Sequence, residues 1–205
     1  MTDAQAPVGS IVGLDELAEL YRPPSRIVAE KKVATLDETT VGFLAASPFA
    51  LIGTVGVDGS VDVSPRGGPP GFIRALDDRH VAIPDLNGNN LIDTLRAIVA
   101  TGRAGLLVAV PGKDETIRIN GPAWVTTDAS TLDLWNDELR RPTTAIVVRT
   151  DEVFMHCAKA FRRGRVWDPA SWETLPDTPD RFDAATREWL ENSYVAGLAA
   201  DQPER

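Results

Sequence analysis

The segment from Phe49 to Asn90 places the strongest constraint on the fold of this chain. Apolar, β-rich runs alternate there with short turn sequences, and they predict four strands, at Ala50–Val57, Val61–Ser64, Phe72–Leu76 and His80–Pro84. The Asp58-Gly59 pair between the first two runs predicts a hairpin with a type I′ turn, which needs positive φ at both central residues. The segment therefore predicts a β-meander with polar, glycine-rich strand ends.

Helices and further strands flank the meander. Spacing and capping signals predict helices at residues 10–20, 25–34, 37–46, 91–101 and 180–199, and a basic, irregular or helical segment at 156–165. Further strands are predicted at Ala104–Val110, Glu115–Asn120, Ala123–Thr127 and Thr143–Val153, with Gly121-Pro122 breaking the second from the third. Helices are too few for a doubly wound parallel sheet, so the pattern predicts a mainly β, α+β barrel with peripheral helices.

A single domain accommodates all of these elements. Residues 1–46 are expected to form a helical segment that packs on the barrel, residues 47–155 the barrel core, and residues 156–205 a basic segment and a helix. The first ten residues lack the features of a signal peptide, and no apolar run reaches the length of a membrane span. These features favour a cytoplasmic protein.

The charge of the chain narrows the range of its partners. Its 205 residues carry a net charge of −9, so the molecule as a whole repels a nucleic-acid backbone or an anionic membrane. Any anion that it binds must therefore be held by a local basic site. The single cysteine, Cys157, excludes an intrachain disulfide bond.

The strand ends carry residues that suit an anion. Arg66 lies before two glycines; its guanidinium offers paired donors, and glycines let the backbone approach a ligand closely. The alternative is a surface arginine at a strand end. Asn89 and Asn90, at the predicted start of a helix, would add amide donors to the free N–H groups of its first turn, or would simply cap the helix.

The order of these short motifs resembles that of the pyridoxamine 5′-phosphate oxidase-like family of FMN-binding split barrels. The shared motifs are Ser64-Pro65-Arg66-Gly67, Ile83-Pro84-Asp85, Gly88-Asn89-Asn90, Arg118-Ile119-Asn120-Gly121, and His156-Cys157 followed by Trp167-Asp168-Pro169. The resemblance extends over roughly Ala45 to Trp172. The resemblance implies a six-stranded split β-barrel that forms a homodimer, with FMN bound in clefts at the subunit interface.

The resemblance also implies a set of cofactor-binding residues: Ser64, Arg66, Gly67, Ile83, Pro84, Asp85, Asn89, Asn90, Arg118 and Asn120. Asp85 would accept a hydrogen bond from the flavin ring, or is an ordinary turn residue. Arg118 would place positive charge near the flavin, or lies on a solvated strand face beside acidic residues. Authentic oxidases of the family carry an Arg-Lys pair in place of Asn89-Asn90, so the resemblance extends to fold and flavin and not to vitamin B6 activity.

A basic cluster and two histidines are the remaining candidates. Lys159, Arg162 and Arg165 suit an acidic substrate, or form a solvated face paired with some of the surplus carboxylates. His80, His156 and Cys157 match no metal-binding or catalytic pattern. We therefore assign these three residues structural roles and expect no metal.

The resemblance implies an FMN-dependent oxidoreductase that acts with an electron donor on an unidentified small molecule. No catalytic acid or base is assigned, because the flavin carries the chemistry. Two alternatives stay open. One is a reductase that uses the deazaflavin F420, whose polyglutamate tail the basic cluster would meet. The other is a non-catalytic carrier or sensor of flavin or haem, with His80 or His156 as the axial ligand of haem.

Overall fold

The structure, a computed structural model, describes residues 7–11 and 13–203. The chain divides into one unit that ends at Lys32 and a second that begins at Val33. The first unit contains helices α1 (Leu14–Leu20) and α2 (Arg26–Glu30). Both are shorter than the sequence predicted, and Gly13 rather than Ser10 precedes α1.

The second unit contains the sheet and the remaining helices of the described chain. The helices are α3 (Glu38–Ala46), α4 (Asp93–Thr101), α5 (Ala129–Leu132), α6 (Lys159–Gly164), α7 (Pro169–Trp172) and α8 (Ala184–Ala200). The strands are β1 (Phe49–Val55), β2 (Val61–Gly67), β3 (Arg74–Ala75), β4 (His80–Pro84), β5 (Arg103–Ala109), β6 (Thr116–Thr126), β7 (Ala145–Arg149) and β8 (Glu152–His156). None of the described helices has the length and apolar content needed to cross a membrane.

All eight strands of the described chain belong to one antiparallel sheet in the order β2-β1-β5-β6-β7-β4-β3, with β8 also paired to β6. The sheet has eight strands rather than the six expected, and strand pairing does not close it. One reason for the larger number of strands is Thr150. Its N–H donates to the Arg79 carbonyl at 2.7 Å, and the ladder with β6 does not continue through it. The predicted strand Thr143–Val153 is therefore divided into β7 and β8.

The predicted break at Gly121-Pro122 is wrong, because β6 continues through both residues. Gly121 is required there for space: a Cβ atom on it would collide with the carbonyl oxygen of Arg149. At this point the partner of β6 changes from β8 to β7, and the Asp151 N–H donates to the Asn120 carbonyl at 2.9 Å. Gly121 thus permits two backbones to approach closely where the ladder changes partner.

The hairpin between β1 and β2 forms as predicted, but its turn is not type I′. Gly59 has a positive φ of 82°, whereas Asp58 is not among the residues with positive φ. The Gly59 N–H donates to the Gly56 carbonyl at 3.0 Å, and the Gly56 N–H donates to the Ser60 carbonyl at 2.8 Å. This pattern is typical of a longer loop that ends on a left-handed glycine.

The core lies between the sheet and the helices packed on it. α4 contributes Leu95 and Ile98 to the main cluster, whereas Leu91 and Val99 are exposed. Gly102 ends α4 with a φ of 69°, a left-handed conformation that favours glycine. A second cluster surrounds Trp135, which is fully buried and whose Nε1–H donates to the Phe72 carbonyl at 2.8 Å.

Candidate functional site

A cavity of about 340 Å³ lies between β2, the segment after β4 and the start of α4. This volume is within the range of small-molecule sites in proteins, roughly 300–1,000 Å³. Six of the residues assigned to the cofactor from the sequence line the cavity: Ser64, Arg66, Gly67, Pro84, Asp85 and Asn89. Residues that are distant in the chain therefore meet at one place.

The register of β2 explains why Arg66 reaches this cavity. β2 extends to Gly67, beyond its predicted end at Ser64, and Arg66 pairs with the fully buried Ala50 of β1. Side chains alternate along a strand, so Asp62, Ser64 and Arg66 share the face of the sheet that carries the core residues of β1.

The Arg66 guanidinium has an unsatisfied donor. Its Nε atom is buried and has no hydrogen-bond partner among the residues that the structure describes, while Nη1 donates to the carbonyl of Pro65 at 3.3 Å. A buried donor without a partner costs about 1–3 kcal/mol. An anionic ligand in the cavity would supply the missing acceptor.

Asp85 lies at the other side of the cavity, directly after β4. Its backbone N–H donates to the Thr144 carbonyl at 2.9 Å, which holds the end of β4. Burial raises the pKa of the Asp85 carboxyl group, and the positive charge of Arg66 opposes this increase. The cavity thus combines a half-buried carboxyl group with a guanidinium.

The segment before α4 differs from the prediction. α4 begins at Asp93, with Ile92 and not an asparagine at its N-cap. Asn89 Oδ1 accepts from the Leu91 N–H at 3.1 Å, and both Asn90 and Ile92 have positive φ, 59° and 51°. A left-handed conformation is unusual for a β-branched residue and is found most often at functional sites.

Asn90 does not line the cavity. It lines a neighbouring depression of about 300 Å³ together with Arg140, Arg141 and Asp201. Asp201, which follows α8, accepts from the Asn87 N–H at 3.0 Å through Oδ1 and from the Arg140 N–H at 2.8 Å through its carbonyl. The end of α8 is therefore attached to the loop that borders the cavity.

Among the lining residues that the sequence did not assign to the cofactor, Asp62 and Thr94 are joined by a hydrogen bond. Asp62 Oδ2 accepts hydrogen bonds from Thr94 Oγ1 at 2.7 Å and from Ser64 Oγ at 3.0 Å. The alternation of Asp62, Ser64 and Arg66 along β2 was the available signal for Asp62. Thr94 lies in the first turn of a helix far along the chain, and no local pattern links it to β2.

The other sequence-assigned residues lie elsewhere. Ile83 is fully buried in the main core. Arg118 pairs across the sheet with Leu107, which pairs with Leu51, so Arg118 lies on the face opposite Arg66. Glu152 Oε1 accepts from Arg118 Nη2 at 2.9 Å and from Asn120 Nδ2 at 3.0 Å. Within one chain, Arg118 and Asn120 are therefore separate from the cavity.

The basic cluster lies at the surface around α6 and does not line the cavity. Arg162 pairs with Asp114 at 2.9 Å, and Arg165 pairs with Asp168 at 2.6 Å. Lys159 is exposed. Both arginines of the cluster are thus engaged by the carboxylates that the acidic composition of the chain supplies.

The family model for pyridoxamine 5′-phosphate oxidase matches residues 36–157. This chain belongs to that family. The match extends from just before α3 to just beyond β8, and it includes every described residue of the cavity lining. α8 and Asp201 lie outside it. No curated protein matches the chain.

Several solved structures are similar to this chain at low sequence identity. HupZ of Group A Streptococcus is 14% identical, with 58% of this chain and 93% of that chain covered and a TM-score of 0.49. A pyridoxamine 5′-phosphate oxidase candidate from Lactobacillus delbrueckii is 22% identical, with coverages of 60% and 98% and a TM-score of 0.47. An FAD binding protein from Mycobacterium smegmatis is 16% identical, with coverages of 60% and 97% and a TM-score of 0.41.

The raised pKa of Asp85 predicts a pH-dependent effect of replacing it. The folded chain holds the proton more tightly than the unfolded chain, so this contribution to stability is present below the unfolded pKa and is lost as pH rises through the folded pKa. In urea unfolding at about pH 7, we expect Asp85→Asn to be more stable than the wild type. The gain in the free energy of unfolding should be smaller at about pH 4. An equal gain at both pH values would contradict this, and Asp177→Asn, in an exposed loop, is the control.

Proposed function

We propose that this protein is an FMN-dependent oxidoreductase that acts on a small molecule, with the flavin in the cavity beside Arg66. The buried Nε of Arg66 carries this proposal, because none of the described residues provides an acceptor for this donor. Family membership supports it, since the matched residues include the whole described cavity lining.

The residues of the cavity fit a flavin mononucleotide. Arg66 would hold the phosphate, with Gly67 allowing the backbone to come close. Asp85, when ionised, would accept a hydrogen bond from the pyrimidine part of the ring. Once bound, FMN would supply hydride-transfer chemistry. This chain would bind and orient it, and would limit the access of water through the loop that Asp201 holds.

A homodimer is part of the same proposal. The face of β1 and β2 that points away from the core exposes apolar side chains, among them Phe49, Val55, Val61 and Val63. An exposed apolar patch of this kind is typical of an interaction surface. Arg118 and Asn120 lie on that face, where they would reach the cofactor of a partner subunit. A purified protein that sedimented as a monomer at micromolar concentration would contradict this part of the proposal.

Lys159, Arg162 and Arg165 provide a basic surface for an acidic substrate, although the ion pairs of the two arginines would have to open. A cytoplasmic location completes the proposal.

The first test is the visible spectrum of the purified protein and of the material released from it by heat. We expect the two absorption bands of an oxidised flavin, with FMN in the supernatant, and bleaching when a nicotinamide donor is added without oxygen. A single deazaflavin band would identify F420 instead, and a sharp Soret band would identify haem. A colourless protein that does not take up added FMN would contradict the proposal.

A further inference from the structure

We propose that Asp62 determines flavin specificity: with Ser64 and Thr94 it forms a subsite that accepts hydrogen bonds from ligand hydroxyl groups and opposes phosphate. The inference rests on the proposed function, because it concerns which flavin the cavity prefers. It implies that the wild-type site prefers FMN over riboflavin by a smaller factor than a site with Arg66 but without the charge of Asp62 would.

The directions of the hydrogen bonds support this assignment. Thr94 Oγ1 donates to Asp62 at 2.7 Å, and Ser64 Oγ donates to the same carboxylate at 3.0 Å. A hydroxyl group has a single hydrogen, so once this is donated to Asp62 only lone pairs face the cavity. A phosphate monoester near neutral pH is mainly an acceptor. Neither hydroxyl can then donate to it, whereas the ribityl chain of a flavin carries hydroxyl donors.

The charges that line the cavity also support a subsite that opposes phosphate. Among the described residues of the lining, Asp62, Asp85 and Asp93 are acidic and Arg66 is basic. The negative charge of Asp93 is partly neutralised by Arg96, whose Nη1 atom lies 3.4 Å from Asp93 Oδ1. Asp62 accepts from two hydroxyl groups, and no cation of the described part of the chain pairs with it. Asp62 therefore presents a negative charge to a ligand beside β2 and the start of α4.

The test compares the dissociation constants of FMN and riboflavin, measured by flavin fluorescence at fixed ionic strength. We expect Asp62→Asn to increase the preference for FMN over riboflavin by about tenfold, equivalent to about 1.4 kcal/mol. The increase should come from tighter FMN binding, because the amide removes the charge and adds N–H donors. Asp177→Asn makes the same change in net charge in an exposed loop and should leave the preference unchanged.

Thr94→Val is the second variant, and it keeps the charge of Asp62. Because the Thr94 hydroxyl donates to Asp62, its removal should change the preference for FMN by less than about twofold. A selective loss of FMN affinity in Thr94→Val would show that this hydroxyl donates to the phosphate, and it would overturn the inference. An unchanged or reduced preference in Asp62→Asn would also overturn it.

The failure of the inference can be told apart from that of the proposed function. If wild type binds FMN and the preference does not respond to Asp62→Asn, the inference alone is overturned. If neither flavin binds to the wild type or to any variant, the proposed function is overturned and the inference with it. Circular dichroism of each variant establishes that the comparison is made between folded proteins.

Discussion

Arg66→Ala is expected to lower the affinity for FMN by about 100-fold, equivalent to about 2.8 kcal/mol. The loss follows from the removal of the only basic side chain among the described residues that line the cavity. Truncating one member of a desolvated charge pair costs about 2–5 kcal/mol. The measurement is a fluorescence titration of the apoprotein with FMN.

Riboflavin serves as the internal control for Arg66→Ala. It lacks the phosphate, so its affinity should fall by less than about fivefold if the variant is correctly folded. Arg149→Ala is the matched protein control, because Arg149 pairs with Asp151 at 3.1 Å and lies outside the cavity. Equal losses for FMN and riboflavin would mean that Arg66 supports the fold of the site rather than binding phosphate.

Gly121→Ala is expected to lower the free energy of unfolding by about 3 kcal/mol or more. The added methyl group would collide with the carbonyl oxygen of Arg149, which belongs to the backbone and cannot rotate away. β6 and β7 would have to separate at the point where the ladder changes partner, so the cost exceeds that of ordinary overpacking. Urea unfolding of the apoprotein measures this difference.

Gly53→Ala provides the matched control for Gly121→Ala. Gly53 lies in β1 of the same sheet, and the nearest atoms to a Cβ built there, the carbonyl oxygens of Asp62 and Gly105, are 3.9 Å away. This distance is ordinary van der Waals contact, so Gly53→Ala should change stability by less than about 1 kcal/mol. Similar losses in the two variants would show that close backbone approach is not the reason for glycine at 121.

Local sequence signals were sufficient for several elements. The strand His80–Pro84 has the bounds that its β-rich run predicts, and Asp37 caps α3 with its carboxylate accepting from the Thr40 N–H. Gly102 ends α4 in a left-handed conformation. Each of these depends on residues within one turn or one strand, where short-range propensity and capping decide the conformation.

Features that depend on strand register or on contacts between distant residues could not be predicted from local sequence signals. The hydrogen bond from Thr94 to Asp62 joins residues that are far apart in the chain, and the position of Arg118 on the opposite face follows from the pairing of β5 and β6. The left-handed Ile92 moves the start of α4 to Asp93, and an isoleucine gives no local signal for that conformation.

Part of the candidate site was predicted from the sequence, mainly because the order of its short motifs resembles that of the family. Arg66 and Asp85 are each ambiguous alone, since an arginine at a strand end and an aspartate after proline are common surface residues. The meander brings them to one cavity because β2 extends to Gly67 and β4 ends at Pro84. Their electrostatic interaction becomes visible only in three dimensions.

Through Asp201, the stability of the last turn of α8 depends on ligand binding in the cavity. Its carboxylate holds the Asn87 N–H and its carbonyl holds the Arg140 N–H. Any ligand that orders the loop around Asn87 must, by reciprocal linkage, also raise the free energy needed to detach the end of α8. Amide exchange and proteolysis at the C-terminal helix would therefore slow on ligand binding, although that helix lies outside the family match.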